Sequence, residues 1–215
     1  METVDKINIE ILEKSKEFFS DLLGIILCGS AGKNKFIENW SDLDYIIITK
    51  TTNLLKIQEF LNYFSSCKIH IGTTFFTQNE LDKMLIPQRC IITFYEISNG
   101  KNKILFQEQT LKLPIVSIED VCQNYKSELA KTIISVKRSN YNEFRPLFKK
   151  LVLIKKLLLE AQSVIKYDFK EIDIAIKQFY PKDKVSLCEL FNRRRELSVC
   201  QLYSIINNYL IDMDL

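Results

Sequence analysis

A single histidine, no pair of cysteines at C-x-x-C spacing and no long uncharged apolar run set the first limits on this chain. Zinc sites need four N or S ligands in close sequence clusters. The scattered Cys28, Cys67, Cys90, Cys122, Cys188 and Cys200, with His70 alone to assist, do not offer one. The charged opening METVDKINIE lacks the apolar core of a secretory signal, and no run of about 20 apolar residues follows, so neither export nor a membrane span is expected. Free thiols then fit a reducing, cytoplasmic setting. Internal repeats, low-complexity tracts and linker-like stretches are missing as well, which excludes a solenoid or a disordered scaffold.

Strong charge of one sign is also lacking. The net formal charge is +3, too small to argue for a nucleic-acid partner. It is unevenly placed: residues 1–112 hold 13 Lys and Arg against 14 Asp and Glu, a balance of −1, and residues 113–215 hold 17 against 13, a balance of +4. A basic second half suits a polyanion such as a nucleoside triphosphate. Hydrophobic residues make up 47% of the 215, ample for a packed core in one large domain or two small ones.

Apolar positions Ile7, Ile11, Leu12, Phe18 and Phe19 recur at helical spacing and predict an amphipathic helix over 5–20. The period then changes. Gly24 to Cys28 and the Ile-rich Leu43 to Thr49 are short apolar runs that read as buried strands. Helical spacing returns over 54–64, followed by a predicted strand over 68–76 and a short helix over 78–85. The β-branched and aromatic run Cys90 to Ile97, Asn99-Gly100 and Ile104 to Phe106 read as a β-hairpin. Strand signals end near Pro114. Helices are expected over roughly 118–139, 143–166, 169–179 and 184–210. The fold class is therefore α+β: a mixed sheet flanked by helices over 1–112, then an all-helical bundle over 113–215.

Chemistry concentrates in Gly29-Ser30, an eleven-residue spacer and Asp42-Leu43-Asp44. At the end of a strand, Gly29 lets the backbone approach a phosphate closely, and Ser30 offers a hydroxyl and an N–H to its oxygens. A helix starting at Ala31 to Phe36 would add its dipole for an anion. Asp42 and Asp44, two apart on a strand, project from one face while Leu43 turns into the core. Such a pair suits Mg²⁺, a hard cation that takes carboxylate, water and phosphate oxygens, and a bound cation offsets the repulsion between the two acids. Trp40 and Tyr45 either pack or stack a substrate ring. Lys149 and Lys156, seven apart on one helix face, are candidate phosphate ligands if that face borders a cleft, and otherwise snorkelling surface residues. Arg193, Arg194 and Arg195 spread over different helix faces and read as solvated surface.

The segment GSAGKNKFIENWSDLDYIII resembles the signature of the DNA polymerase β-like nucleotidyltransferase superfamily: Gly-Ser, a variable spacer, then Asp-x-Asp on the next strand. It includes Ser41, which often precedes the acids in small bacterial members. A short catalytic sheet followed by a helical bundle is also similar to the antibiotic nucleotidyltransferases and to the minimal nucleotidyltransferases of toxin–antitoxin pairs. The resemblance implies transfer of a nucleoside monophosphate from an NTP to a hydroxyl of a small molecule or protein, with Mg²⁺ on Asp42 and Asp44 and the triphosphate on Gly29 and Ser30. Partners implied are the NTP and its acceptor, with a homodimer or a toxin–antitoxin-type partner left open. Members usually carry a third carboxylate on the following strand. The strand over 68–76 holds none. His70 could take its place as catalytic base, Glu96 could reach in from a later strand, or catalysis has been lost and a nucleotide-binding or regulatory protein remains.

Overall fold

The chain, here a computed structural model, is described over residues 2–123, 125–138 and 141–215. It divides into two compact units, Met1–Ser117 and Ile118–Leu215.

The first unit is built on a four-stranded mixed sheet in the order β3-β2-β1-β4. Helix α1 (Glu2–Phe18) leads into β1 (Leu22–Cys28), a single turn α2 (Gly29–Gly32), β2 (Leu43–Thr49), α3 (Leu54–Phe64), β3 (Ile71–Thr77), α4 (Gln78–Asp82), α5 (Gln88–Ser98) and β4 (Lys103–Gln107). β1 pairs antiparallel with both β2 and β4, while β2 and β3 run parallel with Asp44 opposite Gly72. β1 is buried along its whole length, and β2 is buried except at Asp44. This burial on both faces explains why both strands read as continuous apolar runs.

One face of the sheet carries Ile25, Leu27, Leu43, Tyr45 and Ile47, which pack with Ile11 of α1 and Phe60 and Phe64 of α3 into one core. Its aromatic centre is tight, with ring centroids of Phe60 5.5 Å from Phe19 and 5.0 Å from Phe64. Tyr45 belongs to this core: it is buried, and its hydroxyl donates to Asn8 Oδ1 at 2.8 Å. Packing, not substrate stacking, is its use. On α5, Phe94 meets Phe76 of β3 edge-on at 5.4 Å.

The predicted hairpin is corrected here. Residues 90–97 form helix α5, not a strand, and only Lys103–Gln107 is extended. Cys90, Ile91 and Phe94 are its buried apolar positions, a helical i, i+1, i+4 set. Burying that stripe outweighed the β preference of Ile91, Ile92, Thr93 and Tyr95. The Asn-Gly pair ends the helix instead of turning a hairpin. Asn99 is its cap, Gly100 has φ +65, and Lys101 N–H donates back to Glu96 O at 2.8 Å, as in a Schellman ending.

The second unit contains α6 (Ile118–Cys122), α7 (Tyr125–Arg138), α8 (Phe144–Glu160), α9 (Phe169–Phe179), α10 (Leu187–Asn192) and α11 (Val199–Asp212). No strand occurs there among the described residues. The expected helix over 118–139 is two pieces, with residues 124 and 139 outside the described set. The one over 143–166 stops at Glu160. The one over 184–210 breaks because Ser186 and Ser198 each cap a new start, accepting from Glu189 N and Gln201 N. α8 is the central element, with Leu147, Phe148, Leu151, Ile154 and Leu159 all fully buried. Among the described residues no helix is long and apolar enough to cross a membrane.

Candidate active site

The Gly-Ser turn and the two aspartates meet at one end of the sheet. β1 ends at Cys28, directly opposite Asp44 on β2, so the residue that follows, Gly29, reaches the Asp44 carboxylate. Gly29 has φ +63, and a Cβ there would sit 3.0 Å from Asp44 Oδ2. A left-handed conformation costs an L side chain about 1–2 kcal/mol, and here the added carbon would also press on the acid. Gly72 plays the matching part on the other side. A Cβ at Gly72 would lie 2.5 Å from Asp44 Oδ1. Gly29, just past the end of β1, and Gly72 on β3 thus leave the Asp44 carboxylate its space.

The expectation that Asp42 lies within the strand is corrected by one residue, since β2 begins at Leu43. Alternation still holds across the boundary. Leu43 and Tyr45 are buried, Asp44 is exposed and the Asp42 side chain is 20% exposed. The expected helix after Ser30 is a single turn, Gly29–Gly32. The spacer is fixed by its own hydrogen bonds instead: Lys35 N–H donates to Ser30 O at 2.7 Å, and Ile37 N–H donates to Ser41 Oγ at 3.0 Å. Ser41 therefore closes the loop that delivers Asp42, a physical reason for a serine before the acids.

β3 is Ile71–Thr77 and carries no acid. The position opposite Asp44 is Gly72, where the close approach leaves no room for a larger residue. His70 precedes β3. Its backbone oxygen accepts from Leu43 N–H at 3.0 Å, and its Nδ1 stands 3.8 Å from Asp42 Oδ1 with the side chain 74% exposed. The structure thus brings together Gly29, Ser30, Asp42, Asp44 and His70. His70 also borders a cavity of about 270 Å³ between α3 and β3, lined by Phe60, Phe64, Cys67, Ile69 and Thr73.

Glu96 lies on α5, not on a strand, and is buried against Lys33, whose Nζ is 2.7 Å from its Oε1. Burial pushes the Cys28 thiol up to about 12, with the negative charges of Glu96 and Asp44 adding to the effect and Lys33 opposing it. Lys33, Glu96, Cys28 and Asp44 therefore share one electrostatic neighbourhood. The Lys33–Glu96 pair escaped sequence reasoning because its glutamate sat in a segment read as a strand.

Lys149 and Lys156 belong to the helical unit. Lys149 is exposed, and the Lys156 ammonium lies 5.8 Å from the Tyr167 ring centre. Arg193 pairs with Glu189 and Glu196, and Arg194 stacks on Phe191 at 4.2 Å, so these two arginines are engaged within their own surface.

Among the described residues no group of three or more His, Cys, Asp or Glu side chains converges to hold a metal ion unaided. Asp42 and Asp44 are nevertheless a donor set of the kind Mg²⁺ takes, since that ion uses few protein ligands and completes its shell with water and phosphate.

The architecture is that of a nucleotidyltransferase-type fold. The solved structure of spectinomycin adenyltransferase AAD(9) from Enterococcus faecialis, determined with ATP and spectinomycin, superposes with a TM-score of 0.64, covering 96% of this chain and 99% of that one at 15% identity. A chain of the toxin–antitoxin pair MntA–HpeT covers 61% of this chain and 91% of that one at 12% identity, with a TM-score of 0.34, too low to carry an argument. No protein-family model matches the chain, and no curated protein matches it in sequence.

Proposed function

We propose that the protein transfers a nucleoside monophosphate from an NTP to a hydroxyl of a small molecule or protein, releasing pyrophosphate. The observation that carries this reading is the Asp44 carboxylate, framed by Gly29 and Gly72 and standing beside Asp42 at the end of the sheet. Gly29 and Ser30 would receive the triphosphate through backbone N–H groups and a hydroxyl. Asp42 and Asp44 would hold Mg²⁺, which neutralises phosphate charge and aligns the in-line displacement when bound. His70, whose Nδ1 stands 3.8 Å from Asp42 Oδ1, would take the proton from the attacking hydroxyl. The AAD(9) structure holds ATP and spectinomycin, so these two are the first pair to try.

The test incubates the protein with each labelled NTP, Mg²⁺ and a panel of hydroxyl acceptors, reading pyrophosphate and labelled product. Turnover that persists undiminished in the Asp42→Ala, Asp44→Ala double variant would sink the assignment. A second reading rests on the acid-free β3: a nucleotide-binding or regulatory protein without turnover. Calorimetry giving NTP affinity while no acceptor is modified would select it.

A further inference from the structure

A buried ion pair sits beside the candidate phosphate turn and has no part in the chemistry above. Lys33 follows α2 directly, and its Nζ donates to Glu96 Oε1 at 2.7 Å, with side chains 13% and 6% exposed. Sixty-three residues separate the two in sequence, so the contact ties the Gly29–Gly32 turn to helix α5. Asn102, just beyond that helix, extends the connection. Its Nδ2 reaches Glu96 Oε2 at 3.5 Å, and its Oδ1 would lie 3.1 Å from a Cβ placed on Gly32.

Stability alone is a poor explanation for this arrangement. Desolvating two charges costs much of what their attraction returns, and apolar residues of similar volume usually pack at least as well. A fixed cation at the end of the Gly29–Gly32 turn does have a use, because preorganised charge binds a polyanion without first losing side-chain freedom. We infer that Glu96 is a positioning residue: it holds Lys33 and with it the Gly29–Lys33 turn, so that backbone and ammonium are set for the polyphosphate tail of a nucleoside triphosphate. This deepens the proposed function and rests on it.

The experiment measures affinity for Mg²⁺ with a non-hydrolysable ATP analogue, and KM and kcat with ATP. It uses the intact protein, Lys33→Met, Glu96→Gln, Glu96→Ala and the Lys33→Met, Glu96→Ala double variant, with thermal melts as a check on folding. Lys33→Met is expected to weaken nucleotide binding roughly ten- to a hundredfold, the loss of one hydrogen bond to a charged group. Glu96→Ala should weaken it comparably, and the double variant no more than Lys33→Met alone, since the two act as one unit. KM should rise while kcat changes less. If Glu96→Ala fails to fold, Glu96→Gln decides, and it should sit between the intact protein and Lys33→Met. Unchanged or tighter binding in the folded Glu96 variants, or effects that multiply in the double variant, would overturn the inference. If the intact protein binds no nucleotide the proposed function itself falls, whereas binding that is indifferent to Lys33 and Glu96 removes only this positioning role.

Discussion

Each unit of this protein carries a pair of aspartates, and the two pairs are handled in opposite ways. In the helical unit Asp173 and Asp183 are buried around Lys155, whose side chain is fully enclosed. The Lys155 ammonium donates to Asp183 at 2.5 Å and to the Val185 carbonyl, stands 3.8 Å from Asp173 and lies 5.2 Å from the Tyr209 ring centre. Asp173 spends its remaining lone pairs on Ser186 and on the N–H groups of Leu187 and Cys188 at the start of α10. In the sheet unit Asp44 faces outward on a rigid strand, with a glycine on either side in place of packing. Where the chain supplies its own cation inside the core, the carboxylates are architecture. At the sheet end, space is cleared around Asp44, and the function proposed above gives Asp42 and Asp44 a cation from outside.

That contrast can be broken by experiment. The largest effect is expected from Asp42→Ala with Asp44→Ala: nucleotidyl transfer should fall about a thousandfold or more, the order expected when metal-borne charge stabilisation of several kcal/mol is lost, while the melting temperature stays close to that of the intact protein. Lys155→Met should do the reverse. It should cost roughly 3–5 kcal/mol in urea unfolding by stranding buried carboxylates, and Lys155→Met with Asp183→Asn should recover part of that loss. Thresholds of the same size in both assays for both variants would erase the distinction. His70→Ala sharpens the site within the sheet unit, with kcat lowered about a hundredfold and nucleotide affinity kept, the usual scale for losing a general base. Gly29→Ala should cost about 1–2 kcal/mol of stability for its positive φ and reduce activity through Asp44.

The smallest effect lies in alkaline pH. Burial holds the Cys28 thiol protonated up to about 12, against an ordinary value of 9.0 in an unfolded chain. A raised folded pKa gives stability that is complete below 9 and declines as pH rises toward 12, because the unfolded chain sheds its proton first. Unfolding followed by denaturant at pH 8 and pH 10.5 should therefore show a loss that is smaller in Cys28→Ala. The same burial predicts that Cys28 resists alkylation at pH 8 while the exposed Cys200 reacts.

Much of the sheet unit could be read from the chain. β2 over 43–49 and α3 over 54–64 have the limits expected of them, because an Ile-rich run and an Asn53 cap accepting from Lys56 N–H are local signals. Segment 90–97 could not be read so directly. Its β-branched residues favour a strand locally, and only packing of Cys90, Ile91 and Phe94 makes it a helix. With that misreading went the Lys33–Glu96 pair. The breaks in the second unit were hidden for a related reason: Ser186 and Ser198 are caps only where the chain turns away, and an apolar helical rhythm continues on both sides.

By itself the sequence determined the Gly-Ser turn, the spacing to Asp42 and Asp44, and the face on which those acids lie, because strand alternation is a property of the backbone. Tertiary structure alone decided that Gly72 is the residue opposite Asp44, that His70 falls beside Asp42, and that Glu96 is bound to Lys33. Those relations join residues tens of positions apart, and strand register and helix packing, not local preference, set which of them meet.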